Sequence, residues 1–157
     1  TNLDDIESLY LKYIYSGARQ LLSVINKIKD NKIKEIRFNN RKPTYLPQRK
    51  PKDGNINWKL KSNELINFIK AIKHPFPGAY TYYKKNKNII EECIQFKSKK
   101  SDLNQIGKIE EVFYDNKFSV FCKDGSILIK KWNSKYKFKP KKGLLFRFNK
   151  NIKKIKY

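Results

Sequence analysis

The corner Pro75-Phe76-Pro77-Gly78 limits most strongly how this chain can fold. Proline fixes its own φ angle and has no amide proton to donate, so a Pro-x-Pro-Gly run ends a helix and makes a rigid bend. Residues 63–73 before the corner have the apolar spacing of a helix, with Ser62 as its predicted N-cap. After Gly78 the pattern changes to strand-like alternation. The corner is therefore predicted to be a hinge between a helix and a sheet, with Phe76 as a packing residue.

A second block, residues 49–58, precedes that helix and reads Arg-Lys-Pro-Lys-Asp-Gly-Asn-Ile-Asn-Trp. Asp53-Gly54 predicts a tight turn, and the block delivers Trp58 at its end. In this order the two blocks resemble the folate-dependent formyltransferases. This family includes methionyl-tRNA formyltransferase and the sugar N-formyltransferases that act on nucleotide-linked amino sugars.

The resemblance is carried by three family motifs in sequence. They are Arg-x-Pro-x-Asp-Gly-x-Ile-x-Trp, a helix containing Ile-Arg-Ala, and Pro-aromatic-Pro-Gly-Ala. Here Lys70 stands where the family usually has Arg, and Asn57 where Asp is usual. The resemblance covers about residues 5–132, and the charged tail after Trp132 matches none of these motifs.

The resemblance implies an α+β fold and a reaction. Residues 1–78 would be the terminal helix and linker of a Rossmann-like formyltransferase domain, and residues 79–157 a small antiparallel open β-barrel (OB-like) with a basic tail. The reaction would transfer a formyl group from 10-formyltetrahydrofolate to the amine of a nucleotide-linked amino sugar. A methionyl-tRNA formyltransferase fragment that binds tRNA, or a free-standing RNA-binding barrel, is the alternative. The lead-in Tyr45-Leu46-Pro47-Gln48 resembles the sugar branch, whereas the net charge of +23 favours RNA.

The catalytic residues of the family are not found in this sequence. Formyl transfer needs a base that deprotonates the amine and donors that stabilise the tetrahedral oxyanion. The family supplies them from an Asn-x-His block and a later Asp, whereas the sole histidine here, His74, is predicted to cap the end of helix 63–73. Thr1–Tyr10 resembles the segment just after that Asp. We therefore expect a missing N-terminal catalytic half, which would bind most of the 10-formyltetrahydrofolate, and an inactive segment without it.

The loop before helix 63–73 holds the candidate substrate-binding residues. Its prolines discourage helix, so residues 43–58 are predicted to form an extended arm. Arginine can grip a phosphate with two parallel hydrogen bonds, lysine binds it as a point charge, and an aromatic ring can stack on a base or sugar. For the tryptophan, the alternative is a core anchor that pins the loop to the helix. The candidates are Tyr45, Arg49, Lys50 and Trp58.

Net charge, the cysteines and hydropathy limit which kinds of partner and site the chain can have. The chain has 37 Lys and Arg against 14 Asp and Glu, which attracts polyanions unless the lysines only form a solvated surface. Cys93 and Cys122 lie far apart in apolar segments, which predicts buried free thiols rather than a metal site or a disulfide. No apolar run approaches the roughly 18 residues of a membrane span. The sequence predicts a cytosolic protein without a membrane partner, and a homodimer is left open.

Periodicity outlines the remaining elements. Residues 3–30 are predicted to be an amphipathic helix capped by Asn2 or Asp4, and residues 33–38 a short strand or extended chain. An Asp-Gly pair flanked by alternating apolar residues is a strong hairpin signal. The predicted strands are 79–84, 88–97, 107–114, 117–123 and 126–132. The residues expected on their buried faces are Phe118, Val120, Cys122, Ile127 and Ile129.

After Asp124 the sequence has no acidic residue, and in the tail it interleaves lysines with aromatic residues. Basic and aromatic residues together are typical of a surface that binds phosphates and stacks on bases. The alternative is a last pair of strands with lysines outward and aromatic rings inward. The aromatic residues concerned are Tyr136, Phe138, Phe146 and Phe148.

Overall fold

The computed structural model describes residues 4–34, 42–97 and 102–147. Within them the chain is α+β, as predicted. A five-stranded antiparallel sheet packs against the shorter of two helices, and the longer helix has few contacts with the rest of the structure. The Rossmann-like and OB-like descriptions remain predictions. Residues 35–38 of the predicted strand 33–38 lie outside the described ranges.

The first helix, α1, spans Ile6–Lys29. Its N-cap is Asp5, whose Oδ1 accepts the Ser8 amide at 3.0 Å while Ser8 Oγ accepts the Asp5 amide. The predicted cap at Asp4 is wrong, because its carboxylate accepts from Lys12 Nζ instead; Asn2 lies outside the described residues. None of the α1 residues is buried despite their amphipathic spacing. The described part of the chain therefore leaves the apolar face of α1 uncovered.

The second helix, α2, spans Ser62–Ile72 and buries Leu65 and Ile69. The predicted serine cap is wrong by one residue, because Lys61 is the N-cap and Ser62 is already helical. Glu64 Oε2 accepts the Lys61 amide at 2.8 Å, and Asp124 Oδ1 accepts the Ser62 amide at 2.7 Å. Two carboxylates thus satisfy the first amides of α2, which have no partners within the helix.

The sheet contains the five predicted strands, with shifted ends. Its order is β1-β2-β5-β4-β3. The β4–β5 hairpin forms as predicted, but the predicted Asp-Gly turn is wrong by one residue, because Lys123 and Asp124 form the turn and Gly125 already pairs with Cys122. The strands are β1 Ala79–Tyr83, β2 Asn86–Lys97, β3 Ile109–Val112, β4 Phe118–Cys122 and β5 Gly125–Ser134. β3 is shorter than predicted because its register with β4 is interrupted between Ile109 and Val112.

The core lies between the sheet, α2 and the loop before α2. All five residues predicted to be buried on β4 and β5 have no exposed surface. Ile56, Trp58, Leu65 and Ile69 belong to the same core cluster. The core therefore continues across residue 78, and the domain division at that position stays a prediction about the whole protein.

The tail aromatics follow the inward-facing alternative, but without a strand pair. Phe138 and Phe146 are buried, whereas Tyr136 is exposed; Phe148 lies outside the described residues. Instead of a ladder, residues 143–147 make single bridges, with Arg147 opposite Tyr82 of β1 and Leu145 opposite Lys108 beside β3. The two edge strands therefore meet the same short segment.

Both cysteines are expected to react slowly with thiol reagents in the folded protein. Burial raises the pKa of Cys93 to about 12 and that of Cys122 to about 11, and the thiolate is the reactive form. Both thiols are buried and free. Labelling with a maleimide at pH 8 should be slow under native conditions and fast in denaturant. Rapid native labelling of Cys122 would contradict its inward-facing position on β4.

Candidate functional site

A cleft of about 370 Å³ lies where the linking loop (residues 43–58), the hinge (residues 75–78) and the ends of both helices meet. The loop contributes Arg49 and Lys50, and the hinge contributes Phe76 and Pro77. Two predictions made separately, a cationic loop and a rigid corner, therefore fall on one cleft, which the predicted hinge residue Gly78 also lines. The remaining lining residues were not predicted as site residues; they are Ile6, Gln48, Pro51, Asp53, Gly54, Ala71 and Ile72.

Two glycines hold the loop against the hinge. A Cβ on Gly54 would lie 2.7 Å from the carbonyl oxygen of Gly78, so the approach excludes any side chain there. Gly78 has a φ of +82°, which only glycine adopts readily, and its amide donates to Ile72 O at 2.9 Å. The turn itself is closed by Asp53 Oδ2, which accepts the Lys50 amide at 2.7 Å. The Asp-Gly pair thus fixes where Arg49 and Lys50 enter the cleft.

The Arg49 guanidinium lies over α2, with Cζ 5.8 Å from the centroid of the Phe68 ring. A guanidinium over an aromatic face is attracted by the ring quadrupole, which limits the directions that the side chain samples. Arg49 and Lys50 are both exposed. The cleft therefore combines two accessible cations with an apolar wall from the hinge.

The other two candidate binding residues lie elsewhere. Tyr45 is 85% exposed on residues 42–50, which have no regular structure, and it does not line the cleft. Trp58 is 3% exposed, donates from Nε1 to Thr81 Oγ1 at 3.1 Å and stacks on Phe146. The structure supports the core-anchor interpretation of Trp58, because its ring has no surface left for a ligand. The prediction that residues 43–58 form an extended arm is wrong for the second half, because Pro51–Gly54 is a 3-10 helix and Gly54, Asn55 and Ile56 are buried.

His74 does not line this cleft. It lines a neighbouring cavity of about 370 Å³ together with Glu7, Lys73, Glu92 and Lys131. The C-cap of α2 is Lys73, so His74 lies one residue beyond the position predicted for it. In residues 4–34, 42–97 and 102–147, no group of three His, Cys, Asp or Glu side chains could hold a metal ion.

A long-range contact fixes α2, and with it one wall of the cleft, to the sheet. Asp124, in the β4–β5 turn, accepts the Ser62 amide and lies 3.3 Å from Ser62 Oγ. Burial opposes ionisation of Asp124, but the hydrogen bonds from Ser62 and Cys122 outweigh it and lower its pKa below the usual 3.8. The carboxylate therefore stabilises the fold in its charged form.

Asp124→Ala is expected to lower the free energy of unfolding by about 0.5–2 kcal/mol, as for other lost helix caps. Since the folded-state pKa is depressed, this stabilisation is complete above the usual pKa and is lost as pH falls through the folded-state value. Urea denaturation at pH 7 and at low pH measures the difference between variant and parent. Asp115→Ala is the control, because Asp115 pairs only with Lys117 among the ion pairs observed and lies in an exposed turn. An equal loss of unfolding free energy in both variants would show that the hydrogen bond between Asp124 and Ser62 does not stabilise α2.

Comparison with known proteins decides the family. The family profile described as formyl transferase, C-terminal domain, matches residues 49–143, which contain the loop, the hinge and the sheet. The chain belongs to the formyl transferase family. The match includes the cleft residues Arg49, Lys50, Phe76 and Pro77.

Two curated relatives agree with this family. The bifunctional polymyxin resistance protein ArnA of Wigglesworthia glossinidia brevipalpis is 37% identical over 99 residues, which are 62% of this chain and 15% of that protein. The methionyl-tRNA formyltransferase of Clostridium tetani (strain Massachusetts / E88) is 33% identical over 123 residues, 78% of this chain and 38% of that protein. The chain thus spans well under half the length of either relative.

A solved structure shares the fold. The crystal structure of a multiply substituted variant of HypX from Aquifex aeolicus superposes with a TM-score of 0.54 at 12% identity, covering 74% of this chain and 20% of that one. Within the described residues, neither helix of this formyl transferase chain is long and apolar enough to cross a membrane.

Proposed function

We propose that the chain is the C-terminal part of a 10-formyltetrahydrofolate-dependent formyltransferase that formylates the amine of a nucleotide-linked amino sugar. The observation that carries the proposal is the cleft in which Arg49 and Lys50 face the apolar hinge. A nucleotide-linked sugar has a diphosphate for such cations and rings for such a wall. Arginine would bind the diphosphate through paired hydrogen bonds and lysine through its charge.

The chemistry would come from the rest of the protein. The only histidine of the sequence lines a neighbouring cavity and not the cleft, and none of the described residues forms the Asn and His pair that the resemblance implies for amine activation. The catalytic half would supply the base and the oxyanion donors, and would bind 10-formyltetrahydrofolate. This chain would hold the substrate diphosphate and fix the angle between the two parts.

The uncovered face of α1 supports an N-terminal catalytic half. Leu9, Tyr13, Ile14 and Leu21 are each at least half exposed, and soluble proteins seldom leave so continuous an apolar surface uncovered. A helix that belongs to a neighbouring sheet domain would be covered by that domain. We place residues 1–78, with α1, at the end of the catalytic half.

A second candidate is a tRNA substrate, as in methionyl-tRNA formyltransferase. Two observations favour it: the net charge of +23 and a run of exposed lysines after β4. Against it, Phe138 and Phe146 are buried and cannot stack on bases. The exposed lysines are Lys130, Lys131, Lys135, Lys137, Lys139, Lys141 and Lys142.

Formyl transfer by the full-length protein tests the proposal. With 10-formyltetrahydrofolate, we expect turnover of a nucleotide-linked amino sugar by the full-length protein and none by residues 1–157 alone. Turnover of methionyl-tRNA but not of any nucleotide sugar would establish the second candidate. Turnover by residues 1–157 alone would refute the assignment of catalysis to a separate half.

Binding of tRNA at increasing salt gives an independent measurement. A protein that neutralises several phosphates loses affinity steeply as salt rises, with a slope proportional to the number of contacts. Under the sugar proposal, we expect only weak binding that does not distinguish tRNA from another polyanion such as heparin.

A further inference from the structure

The first turn of α1 is where this helix joins the rest of the structure. Asp4, Asp5, Ile6 and Ser8 are partly buried, whereas residues 9–30 are exposed apart from Gly17. Ile6 lines the cleft that contains Arg49, and Glu7 lines the neighbouring cavity that contains His74. The direction of α1 is therefore decided by contacts within about one helical turn.

The strongest of these contacts involves Lys73, which lies between α2 and the hinge. Its Nζ lies 2.5 Å from Asp5 Oδ2 and 3.7 Å from Glu7 Oε2. The side chains of Lys73 and Asp5 are 22% and 26% exposed, whereas those of the pair Lys32–Asp30 at the other end of α1 are 74% and 57% exposed. Partial burial reduces solvent screening, so the Lys73 cluster should contribute more than an exposed pair.

Asp5 connects two structural features with one carboxylate. Its Oδ1 accepts the Ser8 amide and starts α1, while its Oδ2 contacts Lys73. The hydrogen bond from Lys73 is the main reason why the pKa of Asp5 is lowered, and the bond to Asp5 is the main reason why the pKa of Lys73 is raised. Glu92 of β2 adds a further attraction to Lys73, so carboxylates from both α1 and the sheet face this one ammonium group.

We propose that Lys73 is a positioning residue that sets the direction of α1 relative to the sheet by holding Asp5 and Glu7 beside the hinge. The contact joins residues on either side of the linking loop, which otherwise would let α1 pivot. Because Ile6 lines the cleft, the direction of α1 also sets the position of one cleft wall. The role of Lys73 in setting the direction of α1 does not depend on which substrate the protein binds.

Distances between two spin labels test the proposal directly on this chain. Labels at Ser23→Cys on α1 and Asn133→Cys on β5 occupy exposed positions, and the native thiols are buried. We expect a single narrow distance peak in the parent. Lys73→Met should lose that peak, and Lys73→Arg should keep it because the charge is retained.

Two further variants separate positioning from helix capping. Asp5→Asn keeps a residue that caps helices well but removes the charge, so it should lose the narrow peak while circular dichroism shows unchanged helix content. Lys32→Met is the matched control: it removes a lysine of an exposed pair at the far end of α1 and should keep the peak.

The contrary results are distinct. A narrow peak in both Lys73→Met and Asp5→Asn would overturn the proposal, as would a parent without such a peak. Loss of helix content in Asp5→Asn with the peak retained would make Asp5 a capping residue alone. Loss of the peak in Lys73→Arg as well as Lys73→Met would show that the charge of Lys73 does not hold α1.

Discussion

Trp58→Ala is expected to lower the free energy of unfolding by about 3–5 kcal/mol, the range for removing a large buried aromatic side chain. The Trp58 ring joins the linking loop to the sheet. It is 3% exposed, stacks on Phe146 with ring centroids 5.8 Å apart, and donates to Thr81 Oγ1. Removing the ring leaves a cavity where the linking loop, β1 and Phe146 meet, and it leaves the Thr81 hydroxyl without its donor. Urea denaturation followed by circular dichroism measures the loss.

Two variants divide this loss into its parts. Trp58→Phe keeps much of the ring volume but leaves the buried Thr81 hydroxyl without its donor, which should cost about 1–3 kcal/mol. Tyr114→Ala is the control for an aromatic residue outside the core, since Tyr114 is fully exposed, and should change stability little. A Trp58→Ala variant as stable as the Tyr114 variant would remove Trp58 from the core and reopen its role as a binding residue.

Under the proposed function, Arg49→Ala in the full-length protein is expected to raise KM for the nucleotide sugar by about tenfold or more. Losing a hydrogen bond to a charged group costs roughly 1.5–3 kcal/mol. Arg49 lines the same cleft as Phe76 and is exposed, so a diphosphate bound there would be within reach of its guanidinium. Steady-state kinetics with the parent and the variant measure the change.

The matched control is Lys52→Ala, a nearby cation of the same loop that does not line the cleft. It should leave KM almost unchanged if the effect of Arg49 is local rather than a general loss of positive charge. Thermal unfolding should change little in either variant, because both side chains are exposed and the contact of Arg49 with Phe68 is a weak one. An unchanged KM with a lowered melting temperature would make Arg49 a structural residue.

The fold was predictable where the signal is local. The alternation of apolar residues on both sides of the hairpin was sufficient to place Phe118 and Ile129 in the core, because alternate residues of a strand share one face. The turn itself was predicted one residue too late, since Gly125 pairs with Cys122. The start of α2 was not predictable to the residue. One of its first amides, that of Ser62, is accepted by the carboxylate of Asp124. Asp124 lies 62 positions further along the chain and reaches Ser62 only in the folded protein.

The site was predictable in its parts but not in its assembly. The sequence motifs single out Arg49, Lys50 and the hinge, yet they do not show that these residues share a cleft. That arrangement depends on the close approach of Gly54 to Gly78, which brings two separate blocks together. Trp58 illustrates the limit: a loop tryptophan has the same sequence pattern whether it packs inward or stacks on a ligand, and only the position of Thr81 decides.

The bridges made by residues 143–147 also bear on the two edges of the sheet. An edge strand presents unpaired amides and carbonyls on which a strand of another molecule can add, and such addition is a route to aggregation. Arg147 donates its amide to Tyr82 on β1, and Leu144 accepts from Ile109 on β3, so a few residues occupy hydrogen-bonding positions on both edges. The exposed lysines just before this segment, Lys139, Lys141 and Lys142, add charge repulsion between molecules. The tail thus shields a sheet that would otherwise expose two templates for self-association.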